Sequence, residues 1–324
     1  MRTEDVHFYS GGARLAGTLL LPDAVEVPVP CIVQGPGWLG LRDAKLYTPY
    51  HEALTGADFA VLTLDYRGFG GSEGDATVLD PMDQVADIRA GLTYAASRSE
   101  IDGCRLGLFG SGGTGGGNAV YVAGLDERVK AVVSQVPIAD GRDWLHRMRR
   151  EHEWLEFLDR IEADRVRYVT TGEGELVPPR EAIMVPTPER RATTVKSDVD
   201  ARIPGLVALR SADAIMAYRP IDVVHRIAPR ALMLIAVEHD AVTPDDHARA
   251  LYDRAGAPRR LVVQTGTTHY AAYAKYRDVV NPLIVDWYRR HLASGEIRVH
   301  EDAGEAGIDY LSRPAAPAIA DSVA

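Results

Sequence analysis

Cysteine is almost missing from this chain. Cys31 and Cys104 are the only two among 324 residues, too few for a disulfide framework. Each opens a strand-like apolar run, so both read as buried, reduced thiols. No apolar stretch reaches the roughly 18 residues that mark a membrane-spanning helix, and the opening MRTEDVHFYSGG lacks the apolar centre of a secretion signal. A cytoplasmic location is therefore expected. Positive charge is in deficit, with 36 Lys and Arg against 46 Asp and Glu and a formal net charge of −10. That balance weighs against a nucleic-acid backbone and against an anionic membrane surface as partners. HExxH, paired cysteines and the lysine of a phosphate loop are all lacking, so neither a metal nor an organic cofactor is implied. A small-molecule substrate is the expected partner.

What is present is alternation. RLAGTLLLP (14–22) reads as a half-buried antiparallel strand. CIVQ (31–34), FAVLTLDY (59–66), RLGLFG (105–110), VKAVVSQ (129–135), ALMLIAV (231–237) and RLVVQ (260–264) are short apolar runs bounded by turn residues, as suits strands covered on both faces. Helical patterns lie between them: Val85, Ile88, Leu92 and Ala95 repeat at helical spacing, and an aromatic, arginine-rich helix spans 276–292. Strands alternating with helices predict an α/β fold with a mostly parallel, doubly wound sheet. Residues 140–217 break the alternation. Trp144, Met148, Leu155, Leu158 and Ile161 are expected on one helical face, packing onto the core rather than touching substrate, and proline-punctuated polar sequence follows. The chain thus divides into a core (1–139 and 218–294), a helical cap insertion (140–217) and an Ala/Pro-rich tail (295–324) that could lie over a neighbouring subunit.

GARLAGTLLLP, PGWLG, LDYRGFGGSEG, LGLFGSGG and DERVKAVVSQVP follow one another in an order and at spacings that resemble the α/β-hydrolase fold, in its dienelactone-hydrolase-like and acylaminoacyl-peptidase-like branches. The resemblance covers about residues 5–139 and 218–293 and leaves the cap uncovered. It implies an ester- or amide-cleaving enzyme without a cofactor, with a homodimer as the assembly to expect. It also places the base at His269, in GTTHYAAY after the last strand, and the orienting carboxylate at Asp240, in VEHDAVTPDD after ALMLIAV. Asp245 stands at the cap of the following helix, which leaves Asp240 free for the histidine. In QGPGWLG, Pro36 has no N–H, so the matched oxyanion donor is the backbone N–H of Trp38, joined by a glycine N–H of the 112–113 turn, Gly112 first. Asp65, Arg67 and Ser72 read as turn chemistry, and Tyr270 as a packing residue.

The nucleophile is where the pattern fails. GLFGSGGTGGGNAV (107–120) has the strand, glycine turn and helix of a nucleophile elbow, but no G-x-S-x-G. Counted from LGLFG, the expected serine falls on Gly112; counted back from LDERVKAVV, it falls on Gly113. Three alternatives stand: a shifted Ser111, Thr114 in a G-x-T-x-G spacing, or no covalent nucleophile. The first gives a Ser-His-Asp hydrolase. The last gives an enzyme whose histidine and aspartate move protons without an acyl-enzyme, as in C–C cleavage, cyclisation or elimination.

Overall fold

The computed structural model describes residues 1–24, 28–292 and 304–312. Its strands are β1 (Arg2–Ser10), β2 (Ala13–Leu21), β3 (Val29–Gly35), β4 (Ala60–Leu64), β5 (Ile101–Gly112), β6 (Val129–Pro137), β7 (Leu176–Val177), β8 (Val207–Ala208), β9 (Ala231–Val237), β10 (Arg259–Gln264) and β11 (Ala306–Leu311). Nine of them form one sheet in the order β1-β2-β4-β3-β5-β6-β9-β10-β11. β1 and β2 pair antiparallel, β2 meets β4 antiparallel, and every pairing from β4 to β11 is parallel. This is the mostly parallel α/β sheet that the alternating runs predict. β7 and β8 make a separate short ladder.

Side chains on these strands alternate between two cores, as a period of two demands. In β3, Cys31 and Val33 join the core beneath α2 (Pro81–Ala96) and α3 (Gly113–Leu125). Ile32 faces the other core, built with Tyr50 and Leu54 of α1 (Thr48–Thr55) and Trp287 and Tyr288 of the helix Arg277–His291. The start of α2 is set locally: Asp80 accepts a hydrogen bond from Met82 N at 2.8 Å, and Pro81 occupies the first helical turn.

Four sequence expectations need correction. Cys104 is exposed, whereas Cys31 is buried. The cause is register: Val29 pairs with Ile101 but Cys31 with Leu106, so residues 102–105 loop out of the ladder. Within the stretch read as tail, residues 306–311 are the ninth strand of the chain's own sheet, parallel to β10; residues 295–303 and 313–324 lie outside the described residues. In the insertion, α4 (Gly141–His146) and α5 (Glu151–Thr171) are helical, but α5 buries Trp154, Phe157 and Ile161 while Leu155 is exposed. The inward stripe runs 154, 157, 161, and Leu155 sits about 100° of helical rotation away from it. Finally, Asp245 lies in the first turn of the helix Asp245–Arg254, with Pro244 at the cap position.

Candidate active site

In a parallel sheet, the loops that follow the strands gather along one edge, where α/β proteins bind ligands. Four such loops matter here: 36–40 after β3, the glycine turn after β5, 238–244 after β9 and 265–271 after β10. Left-handed backbone in residues other than glycine, which is costly, is concentrated there. Leu39 (φ 51°) and His239 (φ 56°) flank Trp38 and Asp240, and Val136 (φ 46°) precedes Pro137, the last residue of β6, which bridges to Gly113 of the glycine turn.

His269 and Asp240 come together. His269 Nδ1 lies 2.7 Å from Asp240 Oδ2, and both residues are about 95% buried. Asp240 divides its oxygens: Oδ1 accepts from Val242 N at 2.7 Å and Thr243 N at 3.1 Å, while Oδ2 accepts from Thr243 Oγ1 at 3.1 Å and faces the imidazole. A carboxylate held this way makes Nδ1 the protonated nitrogen and leaves Nε2 unprotonated in the neutral ring. Among the described residues Nε2 has no hydrogen-bond partner.

The glycine turn lies between two neighbours of this histidine. Gly112 (φ 80°) and Gly113 (φ 32°) have the positive φ that an elbow requires. A Cβ on Gly112 would lie 3.5 Å from Gly37 Cα and 4.0 Å from Tyr273 Oη, both ordinary contacts. A Cβ on Gly113 would lie 3.6 Å from Thr243 Cγ2 and 3.7 Å from Trp144 Cζ2. Tyr273 stacks edge-on to His269 with centroids 6.3 Å apart, and Thr243 Oγ1 is 3.3 Å from His269 Nδ1. Each glycine of the turn thus adjoins a residue that itself touches the imidazole.

Ser111 is not brought to the histidine. It belongs to β5, and its side chain points with Phe109 towards Tyr50 and Tyr273. Its hydroxyl is 2.7 Å from Tyr273 Oη and 3.4 Å from Gln135 Oε1, and Gln135 in turn donates to Tyr50 at 3.2 Å. Thr114 lies in the first turn of α3, fully buried, with its hydroxyl unpartnered among the described residues. Trp38 is buried; its ring meets Trp144 edge-on at 6.4 Å, its indole N–H is unpartnered, and its backbone N–H makes no protein hydrogen bond among the described residues. The neighbouring Gly37 N–H is occupied by Tyr47 Oη at 2.9 Å. Asp65 accepts from Arg42 N, Arg67 pairs with Asp83 and Asp87, and Ser72 bridges Asp65 O and Ala16 N, all structural contacts. Tyr273, Thr243 and Gln135 escaped the sequence reading, and Trp144, read there as core packing, lines the cavity as well. Of the three missed, only Tyr273 carried a signal, one helical turn beyond His269.

A cavity of about 260 Å³ opens beside the His269–Asp240 pair. The insertion between β6 and β9 supplies Trp144, Met148, Met184 and Arg190, and the loops that carry the pair supply Val242 and Tyr270. Trp144 ties cap to loop by donating its indole N–H to Val242 O at 2.8 Å. Among the described residues no cluster of three or more His, Cys, Asp or Glu could hold a metal ion, and no helix is long and apolar enough to cross a membrane.

Residues 11–172, half of the chain, match the family model described as X-Pro dipeptidyl-peptidase (S15 family). The chain belongs to this family. It is an α/β-fold hydrolase, as the sequence resemblance implied. Within the curated proteins it is 29% identical over 283 residues to the "Uncharacterized 31.7 kDa protein in traX-finO intergenic region" of Escherichia coli, covering 86% of this chain and 96% of that one. It is 38% identical over 138 residues to the "Quorum-quenching protein AidA" of Acinetobacter baumannii, covering 42% and 44%. The "Thiohydrolase" of Eupenicillium brefeldianum is 23% identical over 258 residues, covering 74% and 79%. Among solved structures, hypothetical protein PA2218 from Pseudomonas aeruginosa superposes with a TM-score of 0.77 at 20% identity, covering 90% of this S15-family chain and 94% of the other. At that identity the likeness speaks to the fold.

Proposed function

We propose that this hydrolase cleaves an acyl compound of small size, an ester, thioester or amide, with water as the nucleophile and His269 as its base. The observation that carries the reading is the buried 2.7 Å His269–Asp240 contact beside a turn that offers only glycine, while Ser111 is engaged by Tyr273 and Gln135. His269 Nε2 takes a proton from water as the water oxygen adds to the acyl carbon. Asp240 holds the imidazolium that forms. The backbone N–H of Trp38 supports the developing oxyanion, with the glycine turn beside it. Collapse of the adduct breaks the bond to the leaving group, which receives the proton from His269. The products are a carboxylic acid and the protonated leaving group. Relatives named as a thiohydrolase and a quorum-quenching protein are in keeping with an acyl substrate.

The test compares wild type, Ser111→Ala and His269→Ala on short-chain aryl esters and thioesters, alongside labelling with a fluorophosphonate. His269→Ala is expected to lower kcat by at least about a thousandfold, Ser111→Ala to retain turnover, and no variant to be labelled. Labelling of the wild type that vanishes in Ser111→Ala would overturn the reading in favour of a shifted serine.

A further inference from the structure

Within residues 140–217, two largely buried arginines crowd a single carboxylate. Arg190 donates through Nη2 to Asp200 Oδ2, and Arg180 Nη2 lies 3.2 Å from Asp200 Oδ1 without hydrogen-bond alignment. Two guanidiniums thus share one carboxylate. Arg180 Nε, Arg180 Nη2 and Arg190 Nε are buried and lack hydrogen-bond partners among the described residues. Lys196 stands in the same field: burial, Arg180 and Arg190 together push its ammonium down to about 7, against the pull of Asp200 and Asp198. The remaining acids nearby are engaged, Asp198 by Lys45 N and Glu189 by Thr268 Oγ1 and Tyr270 N.

Unpaired buried guanidinium donors are costly to maintain, and a planar fork is matched by the oxygens of a carboxylate or phosphate. Arg190 also lines the 260 Å³ cavity, 5.8 Å from the ring of Tyr270, the residue next to His269. Across the cavity stand Trp144, Met148 and Met184. We infer that Arg180 and Arg190 form an oxyanion subsite at the cavity, which selects substrates carrying a carboxylate or phosphate on an apolar body. The inference rests on the hydrolase reading only for the word substrate; binding of the anion itself does not.

Binding is therefore measured without turnover, by calorimetry at low ionic strength with glutarate, inorganic phosphate and neutral glutaramide. The proteins compared are wild type, Arg180→Gln, Arg190→Lys and His269→Ala. Either anion is expected to bind wild type and His269→Ala at least about tenfold more tightly than glutaramide binds, and to lose at least about tenfold in Arg180→Gln and Arg190→Lys. Arg190→Lys keeps the charge and guards against a folding defect. Stronger binding of glutarate or of phosphate tells which oxyanion the subsite prefers. Equal binding of the anions and glutaramide, or anion binding unchanged in both arginine variants, would overturn the subsite. Failure of the hydrolase reading would instead appear as turnover surviving in His269→Ala.

Discussion

In the proposed mechanism Gly112 stands where a serine hydrolase would carry its nucleophile. The turn has the positive φ of an elbow, and a Cβ there meets nothing closer than 3.5 Å. Its nearest neighbours are Gly37, in the loop of the Trp38 donor, and the hydroxyl of Tyr273. A serine at this position is thus sterically admitted, although an L-residue at φ 80° costs of order 1–3 kcal/mol in stability. Gly112→Ser is expected to acquire fluorophosphonate labelling that the wild type lacks, and to lose it again when His269→Ala is added. Gly113→Ser, whose side chain would point towards Thr243 and Trp144, is expected to stay unlabelled. Labelling of Gly113→Ser alone would move the nucleophile slot by one residue. Asp240 and His269 were readable because each follows a strongly apolar strand, and strand ends of a parallel sheet converge. The direction of Ser111 was not readable. It depends on whether β5 ends before or after residue 111, and the strand continues to Gly112, so Ser111 points with Phe109 into the core shared with Tyr50.

Between elements, the strands buried on both faces were legible from their apolar runs, and α2 from its spacing and its Asp-Pro start. β1 and β11 were not. RTEDVHFYS and AGIDYL are edge strands, open to solvent on one side, and carry half-exposed polar patterns that no run of apolar residues betrays. The cap's contact with the site was legible only as an insertion after β6; the hydrogen bond from Trp144 to Val242 O needs the tertiary structure. That bond braces the loop whose backbone N–H groups, from Val242 and Thr243, hold Asp240. Trp144→Phe keeps an aromatic ring and removes the donor. Loss of about 1–1.5 kcal/mol of bracing, felt as misorientation of Asp240, corresponds to roughly a tenfold fall in kcat, with KM changed far less. A change in KM with kcat intact would mean that Trp144 serves the cavity wall and not the acid loop.

For the molecule as a whole, acid sensitivity of the fold has its origin in buried histidines other than His269. His51, on α1, is buried with its Nε2 against Gln34 Oε1 of β3, and burial pushes its pKa down to about 4 from the ordinary 6.5. His247, on the helix that follows the acid loop, is lowered by burial as well, and accepts a hydrogen bond from Ala139 N at its Nδ1. Both stand neutral in the folded chain. As pH falls from about 6.5 towards 4 the unfolded chain takes up a proton at the His51 position and the folded chain does not, so this stability is present above 6.5 and drains away below it, and His247 acts in the same direction. Each such group contributes a slope of at most about 1.4 kcal/mol per pH unit. Thermal unfolding followed from pH 7.5 to 4.5 is expected to show a falling midpoint, with a shallower fall in His51→Gln, where His247 still titrates. An identical slope in that variant would exclude His51 as a contributor. Uptake at His51 lowers the midpoint itself, so at acid pH activity is expected to fall in step with the folded fraction.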